Sequence, residues 1–200
     1  MQRVVVALTG ASGAALGVRV VEKLAARADI ETHLVVSSAA RRTLAHEVGP
    51  GSLERLVALG ARHHAETDIG ATIASGSFRT AGMIVAPCSM RTLAAIAAGL
   101  ADTLVTRAAD VQLKERRPLV LLARETPLHL GHLRNMVAVT EMGAIVMPPV
   151  PAFYQLPKSL AEVVDHLAAR AIDLLALPGA PAAEAWGGLP GAGDGFAPSD

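Results

Sequence analysis

Residues 3–26 read RVVVALTGASGAALGVRVVEKLAA and contain a complete strand, turn and helix. The run RVVVAL predicts a buried strand, since residues 4–8 are all apolar and mostly β-branched. After the turn TGASG, leucine and valine recur at helical spacing and predict a helix over residues 14–26. A strand that runs through a small-residue turn into a helix is the repeating unit of a parallel α/β sheet.

The same alternation continues along the chain. Short apolar runs predict four further strands, at residues 31–36, 82–86, 118–123 and 144–147. Apolar residues at helical spacing predict helices at residues 39–48, 52–59, 89–98, 107–117 and 160–177. Thr126 followed by Pro127 predicts the start of one more helix. We therefore predict an α/β fold, a Rossmann-like three-layer αβα sandwich with a mostly parallel sheet.

Composition limits the class of protein. The chain has 200 residues, of which 52% are hydrophobic and 18% charged, and its mean hydropathy is +0.40. Its apolar runs are too short to cross a bilayer, so we expect the excess apolar surface to be buried in a homo-oligomer. Eighteen basic residues balance 18 acidic ones, which gives no reason to expect a nucleic-acid partner. The first residues read directly as a strand, so we expect a cytoplasmic protein.

The chain divides into one domain and a tail. We predict a single domain over residues 1–178. Residues 179–200 are rich in Gly, Ala and Pro, and we expect them to lack regular structure and to cover the site or a neighbouring subunit. Cys88 is the single cysteine, which excludes an internal disulfide. Its neighbours Pro87 and Ser89 offer no base, so apolar packing is favoured over a nucleophilic role.

Polar or conformationally special segments follow the predicted strands. They read TGASG, SS, PCSMRT, RET and PPVPAFY, at residues 9–13, 37–38, 87–92, 124–126 and 148–154. Parallel α/β sheets bind ligands beyond the carboxyl ends of their strands, near the point where the strand order reverses. These segments therefore predict one ligand site.

Two of these segments open helices and favour an anion. TGASG and PCSMRT place small residues and hydroxyls where backbone amides and the helix dipole attract negative charge. Neither is a P-loop, and the glycine spacing does not fit a dinucleotide fingerprint, so a phosphate-bearing ligand other than NAD is favoured. The alternatives are a tight turn that needs glycine and ordinary helix capping by Ser89.

Several charged residues extend this interpretation. Arg107, Asp110 and Lys114 share one helical face, which is either a solvated surface or part of the site. Because their helix leads into the strand at 118–123, we expect its end to lie near the ligand edge. Arg124 and Glu125 would combine phosphate binding with proton transfer.

The last third of the chain adds three candidates. Tyr154 stands in a rigid Pro-rich loop, which indicates a ligand contact, a subunit interface or both. Arg170 has apolar neighbours and is expected to need an anionic partner. Trp186 lies in the glycine-rich tail. His129 and His132 lack a third ligand at suitable spacing, so no metal site is predicted.

Taken together, these segments resemble the UbiX-like flavin prenyltransferase family over residues 3–177, with Trp186 beyond. The resemblance is carried by TGASGAALGVR, ASGSFRTAGMIVAPCSMRTLA, LVTRAADVQLKERRPLVLLARETPLHLGHLRNM and MPPVPAFY. It implies a flavodoxin-like fold, a metal-independent enzyme and a homo-oligomer, usually a dodecamer with sites between subunits. The implied substrates are FMN and dimethylallyl phosphate. Prenylation at N5 and C6 of reduced FMN would give prenylated FMN, which a UbiD-like decarboxylase uses.

The resemblance also implies site residues. It implies that FMN is bound by Gly10, Ala11, Ser12, Ser37, Ser89, Met90, Arg91, Thr92 and Arg124. It implies that the prenyl phosphate is bound by Arg107, Lys114, Glu125, Tyr154, Arg170 and Trp186. The implied catalytic residues are Ser12, Glu47, Lys114 and Glu125.

Two other functions stay open from the sequence. An FMN-dependent cysteine-type decarboxylase would normally carry P-x-M-N-x-x-M-W where this chain reads PPVPAFY. A non-catalytic FMN-binding protein would not need Arg107, Lys114, Glu125 and Arg170 around a second phosphate. A conventional dehydrogenase fits less well, because of the irregular glycine spacing.

Overall fold

A computed structural model describes residues 1–188 of the chain. Within them six strands form one sheet, in which every neighbouring pair is parallel. The strands are β1 (Gln2–Leu8), β2 (Ile30–Val36), β3 (Arg62–His64), β4 (Gly82–Cys88), β5 (Leu119–Ala123) and β6 (Ile145–Val146). Their order is β3-β2-β1-β4-β5-β6, so the direction of winding reverses between β1 and β4. The tail at residues 189–200 lies outside the described residues.

Helices cover both faces of the sheet. They are α1 (Ala14–Ala25), α2 (Ser38–Glu47), α3 (Ser52–Ala58), α4 (Met90–Ala97), α5 (Leu104–Lys114), α6 (Leu130–Glu141) and α7 (Leu160–Asp173). One layer contains α1, α2, α3 and α7, and the other contains α4, α5 and α6. Side chains of β1 alternate between the two cores, since Val4 and Val6 face the first layer whereas Val5 faces the second. The predicted three-layer α/β sandwich is confirmed. Within residues 1–188 no helix has both the length and the hydrophobicity needed to cross a membrane.

Helix α1 packs so closely on the sheet that a side chain is excluded at Gly17. A Cβ at this position would overlap the carbonyl oxygen of Ala86 and lie 2.6 Å from Cγ of Leu8. These two atoms belong to β4 and β1, so α1 lies over the two strands between which the winding reverses. The absence of a side chain at Gly17 therefore determines how closely α1 approaches the sheet.

Polar side chains hold the edge strand β3 against β2. The rings of His33 and His64 are stacked with centroids 5.2 Å apart, and Nδ1 of His33 lies 2.9 Å from Nε2 of His64. Nε2 of His33 lies 3.3 Å from the carboxylate of Glu31, which also binds Arg62 at 2.7 Å. Burial, followed by the proximity of His64, lowers the pKa of His33, so the imidazole is neutral at pH 7.

The boundaries of α5 differ from those expected from the sequence. The helix begins at Leu104 instead of residue 107, because Thr103 and Thr106 form a reciprocal capping box. It ends at Lys114 instead of residue 117, since Arg116 adopts a positive φ of 54°. This left-handed residue stops the helix and turns the chain towards β5.

Two later helices are shorter than expected. Thr126 does not cap α6. Instead Nδ1 of His129 accepts a hydrogen bond from the backbone amide of Gly131 at 3.0 Å, and the helix starts at Leu130. Helix α7 ends at Asp173 instead of residue 177, and the chain then continues irregularly.

We predict that Gly17→Ala destabilises the protein although alanine is the better helix former. Helix propensity favours alanine by about 1 kcal/mol, whereas overpacking against two strands costs about 1–3 kcal/mol. Urea unfolding should therefore show a net loss of stability. Gly70→Ala serves as the control, because a Cβ there lies 3.6 Å from the nearest atom. A Gly17→Ala protein as stable as the wild type would contradict this packing.

Candidate functional site

Thr9 joins the two strands between which the winding reverses. Its backbone amide donates to the carbonyl of Pro87 at 3.2 Å, and its hydroxyl donates to the same carbonyl at 2.8 Å. The hydroxyl also accepts from the amide of Ser89 at 2.8 Å. The turn after β1 and the start of α4 are therefore held as one unit. Sequence reasoning quoted Thr9 only as part of the turn, because its partner lies 78 residues away.

Backbone hydrogen bonds extend this connection along the carboxyl edge of the sheet. The amide of Ser37 donates to Leu8 at 3.0 Å, and the amide of Arg124 donates to Cys88 at 3.1 Å. The segments after β1, β2, β4 and β5 are thus tied to one another. The edge predicted as a ligand site is one continuous surface.

The amino terminus of α1 holds a carboxylate. Oε2 of Glu47 accepts hydrogen bonds from the amides of Gly13 and Ala14, each at 2.8 Å. Burial opposes ionisation, but the bonds from Ala14, Ser12 and Gly13 outweigh it, with a contribution from Arg124. The pKa of Glu47 consequently lies below its ordinary value. The structure brings together Ser12 and Glu47, which the sequence separates by 35 positions.

A second carboxylate lies at the amino terminus of α2. The hydroxyl of Ser37 accepts from the amide of Ala40 at 3.1 Å, and Glu66 accepts from the amide of Ser38 at 2.7 Å. The carbonyl of Glu66 also accepts from the amide of Leu104, at the start of α5. Glu66 was not predicted from the sequence. The residues of β3, Arg62–His64, have no apolar pattern, so neither this strand nor the position of the loop after it, at the carboxyl edge, could be recognised.

The amino terminus of α4 is capped by the hydroxyl of Ser89, which the sequence offered as the alternative to anion binding. Oγ of Ser89 accepts from the amide of Thr92 at 3.3 Å. Met90 is half-buried behind it. Arg91 is exposed and pairs with Asp102 at 3.1 Å. The hydroxyls of Ser89 and Thr92 contact each other at 3.1 Å, whereas the described partner of Arg91 lies after α4.

Cys88 is buried and chemically inert. Burial raises the pKa of its thiol to about 12, so almost no thiolate forms at neutral pH. Its side chain belongs to the core beneath α4 and α5. The prediction of apolar packing is confirmed.

Glu125 lies on the outer side of the carboxyl edge. It follows Arg124 at the end of β5, and its side chain is exposed. Oε1 accepts from the amide of Thr126 at 3.0 Å. Arg124 is half-buried and Glu125 is exposed, so a partly buried guanidinium lies next to a solvent-accessible carboxylate in the sequence.

Arg107 and Lys114 lie on α5, where the structure corrects one expectation. Arg107 binds Asp110 at 2.6 Å and donates to the carbonyl of Ala74 at 3.1 Å. Lys114 pairs with Glu115 and lies against Gly76, close to the start of β4. The expectation that the helix end lies near the ligand edge was wrong, because α5 runs back towards the amino end of β5. The five residues of β5 separate Lys114 from Arg124 by roughly 15 Å.

Tyr154 and Trp186, which the sequence presented as separate features, are neighbours. Their ring centroids lie 5.1 Å apart with an interplanar angle of 77°. His166 of α7 lies 6.5 Å from Tyr154, also edge to face. Edge-to-face geometry is favourable for aromatic pairs, so the two half-exposed rings form an organised surface.

Arg170 is more exposed than its apolar neighbours suggested. Its side chain is 48% accessible and lies 3.5 Å from Asp173. The neighbours Leu167, Ala168 and Ala171 face the core, whereas position 170 falls on the outer face of α7. The expectation of an arginine in apolar surroundings was therefore wrong, although the expected anionic partner is present.

The predicted site residues fall into three groups in one copy of the chain. Ser12, Ser37, Glu47, Ser89 and Arg124 lie at the carboxyl edge, with Glu125 beside them. Arg107 and Lys114 belong to the layer of α5, and Tyr154, Arg170 and Trp186 lie on or beside α7, in the opposite layer. The sheet separates the second group from the third. Among residues 1–188 no three His, Cys, Asp or Glu side chains are grouped to hold a metal ion.

The chain is similar to known proteins over most of its length. The model of the Flavoprotein family matches residues 1–171. The chain is 54% identical to "Flavin prenyltransferase UbiX" of Escherichia coli (strain K12) over 177 residues, which are 88% of this chain and 93% of that protein.

Two solved structures share the fold closely. The dodecameric FMN-dependent UbiX-like decarboxylase from Escherichia coli O157:H7 is 49% identical with a TM-score of 0.88, covering 94% of this chain and all of that one. AnUbiX (PadA1), in complex with FMN and dimethylallyl pyrophosphate, is 49% identical with a TM-score of 0.86. It covers 94% of this chain and 98% of its own.

We predict that Glu47→Gln lowers the stability of the flavin-free protein by about 1 kcal/mol at pH 7, as loss of a charged helix cap would. The pKa of Glu47 is lower in the folded state than its ordinary 4.5. Its stabilisation is therefore present above about pH 4.5 and lost as the pH falls through the folded-state value.

Thermal unfolding of both proteins between pH 7 and pH 4 tests this. The difference should shrink towards the acid end. Glu54→Gln, in the first turn of α3, is the control for removing a surface carboxylate. A difference that stays constant with pH would show that the charge of Glu47 does not support α1.

Proposed function

This chain belongs to the flavoprotein family and, within it, to the UbiX-like flavin prenyltransferases, and from that membership we propose how its residues act. The chain is a flavin prenyltransferase, which binds FMN and joins a dimethylallyl group to it.

The continuous carboxyl edge carries the proposal for FMN. The start of α1 attracts negative charge, as the binding of Glu47 by the amides of Gly13 and Ala14 illustrates, and the neighbouring residues 10–12 of the same turn would bind the phosphorylated ligand. Ser37, Ser89 and Thr92 add hydroxyls, and Arg124 adds a cation. We assign FMN to this edge, with Gly10, Ala11, Ser12, Ser37, Ser89, Met90, Arg91, Thr92 and Arg124 as its binding residues.

The Gly10 position supports this assignment sterically. A Cβ there would lie 2.5 Å from the Cβ of Ala39 in α2. The turn after β1 and the start of α2 therefore approach each other without an intervening side chain. Such closeness lets both helix starts act on the same ligand.

The prenyl phosphate requires more than one copy of the chain. We assign it to Arg107, Lys114, Glu125, Tyr154, Arg170 and Trp186. Because α5 and α7 lie in opposite layers, Lys114 and Arg170 of one copy cannot meet at one phosphate. Neighbouring copies would supply them to a shared site, and the dodecameric assembly of the structural relative supports a homododecamer here.

The reaction breaks the bond between the allylic carbon and the phosphate oxygen. The guanidinium groups of Arg107 and Arg170 and the ammonium of Lys114 would stabilise the charge that develops on the departing phosphate. Reduced FMN supplies N5 and C6 as the atoms that become prenylated. Three residues would hold and transfer the protons: Ser12, Glu47 and Glu125. Of these, Glu125 is accessible to the solvent.

The product would leave the enzyme for a second protein. We propose that prenylated FMN passes to a UbiD-like decarboxylase, with the cytoplasm as the compartment. No metal ion enters the proposed reaction, because three cationic side chains take the role of charge stabilisation.

Anaerobic incubation of the protein with reduced FMN and dimethylallyl phosphate should yield a flavin heavier by one C5 unit. Mass spectrometry of the released flavin is the measurement. Lys114→Ala should reduce the yield sharply while FMN binding persists. Arg55→Ala, on the outer surface of α3, is the control. An unchanged flavin mass with active, FMN-loaded protein would overturn the proposed function.

Shared sites predict recovery of activity in mixed oligomers. Lys114→Ala and Arg170→Ala should each be nearly inactive alone. Co-expressed in equal amounts they would leave about one site in four with both cations, if different copies supply them. Activity measured on oligomers purified through tags on both variants tests this. Mixed oligomers as inactive as either parent would show that one copy supplies both residues.

A further inference from the structure

Asp173, at the end of α7, fastens the chain that follows it. Its Oδ1 accepts a hydrogen bond from the amide of Ala182 at 2.6 Å, and its Oδ2 accepts from the amide of Ala183 at 3.1 Å. The carboxylate is only 14% exposed. Hydrogen bonds to a charged acceptor are stronger than neutral ones, so this side chain fixes the backbone of the C-terminal segment, residues 181–186.

The same carboxylate contacts Arg170. Nη1 of Arg170 lies 3.5 Å from Oδ2 of Asp173, one helical turn away. A guanidinium carries five N–H donors in a fixed plane. Pairing at one edge orients that plane, while the half-exposed remainder faces solvent, where a phosphate could bind.

The C-terminal segment carries the aromatic partner of Tyr154. Trp186 is three residues beyond Ala183, and its ring packs edge to face on Tyr154. Nε2 of Gln155 donates to the carbonyl of Glu184 at 3.5 Å, which adds a second and weaker attachment. Asp173 is therefore the strongest described connection between α7 and the segment that places Trp186.

We propose that Asp173 is a positioning residue for the prenyl-phosphate part of the site, because it orients Arg170 and places Trp186 against Tyr154 through one carboxylate. The inference rests on the proposed function for its kinetic consequence. Its structural part stands on hydrogen bonds that do not involve a ligand. Nothing in this role requires Asp173 to touch a substrate.

The negative charge and both oxygens are needed. In Asp173→Asn the amide nitrogen would face a backbone N–H, so one of the two amides of the segment would lose its acceptor. The attraction for Arg170 would also weaken. Asp165→Asn is the matched control, since Asp165 is another carboxylate of α7 that pairs with Arg19 and Lys23 on α1.

Two measurements on the full-length protein test the role. Trp186 is the single tryptophan and Tyr154 the single tyrosine, so emission of the flavin-free protein reports on their contact. Asp173→Asn should shift this emission towards that of an exposed indole, and Asp165→Asn should not. The KM for dimethylallyl phosphate should rise about tenfold, as expected for a lost charge-assisted hydrogen bond, with the dissociation constant of FMN unchanged.

The outcomes separate positioning from a purely structural role. A general loss of structure would weaken FMN binding and lower kcat and the thermal midpoint together, which would overturn the inference. Unchanged Trp186 emission in Asp173→Asn would overturn it as well. If the wild-type protein forms no prenylated flavin, the proposed function fails, and the emission experiment still decides whether Asp173 anchors the segment.

A second variant leaves α7 intact. Ala183→Pro removes the N–H that donates to Oδ2 of Asp173 without changing the helix. It should shift Trp186 emission in the same direction and raise the KM by a smaller factor, since Arg170 keeps its partner. Emission and KM equal to those of the wild type in this variant would contradict the proposal.

Discussion

The hydroxyl of Thr9 joins β1 and β4 at the point where the sheet changes its direction of winding. Thr9 directly follows β1, and its hydroxyl donates to Pro87 in β4 and accepts from Ser89 just after β4, so one side chain satisfies two backbone groups at the end of the neighbouring strand. Parallel strands diverge beyond their carboxyl ends, and the backbone groups exposed there need partners. Because Thr9 supplies them, the starts of α1 and α4 stay close enough to act on one ligand. The assignment of FMN to this edge depends on that closeness.

The sequence was informative where the determinants are local. The run from Val4 to Leu8 and the helical spacing after Gly13 sufficed to predict β1 and α1. Ser37 caps α2 as predicted, whereas Thr126 does not cap α6. The polar segments after β1, β2, β4 and β5 lie at one edge, whereas Tyr154 of the fifth segment packs beside α7. Glu66 was missed because the three residues of β3 carry no apolar pattern, and only pairing with β2 makes them a strand.

Misplacement of Lys114 and Arg170 has a different cause. Both residues were interpreted through their sequence neighbours, but their surroundings depend on the direction of a helix and on its outer face. Lys114 ends a helix that runs away from the ligand edge, and Arg170 points outward between residues that point inward. Such placement is decided by topology and helix phase, which adjacent residues alone do not reveal.

The stacked imidazoles of His33 in β2 and His64 in β3 impose a hydrogen-bonding requirement that two apolar side chains would not. Nδ1 of His33 and Nε2 of His64 face each other at 2.9 Å, so one of these nitrogens must carry a hydrogen and the other must accept it. A slip of β3 that brought Ala65 in place of His64 would remove this contact. The register of this three-residue edge strand is therefore supported by a polar contact between two imidazoles, and not by hydrophobic packing alone.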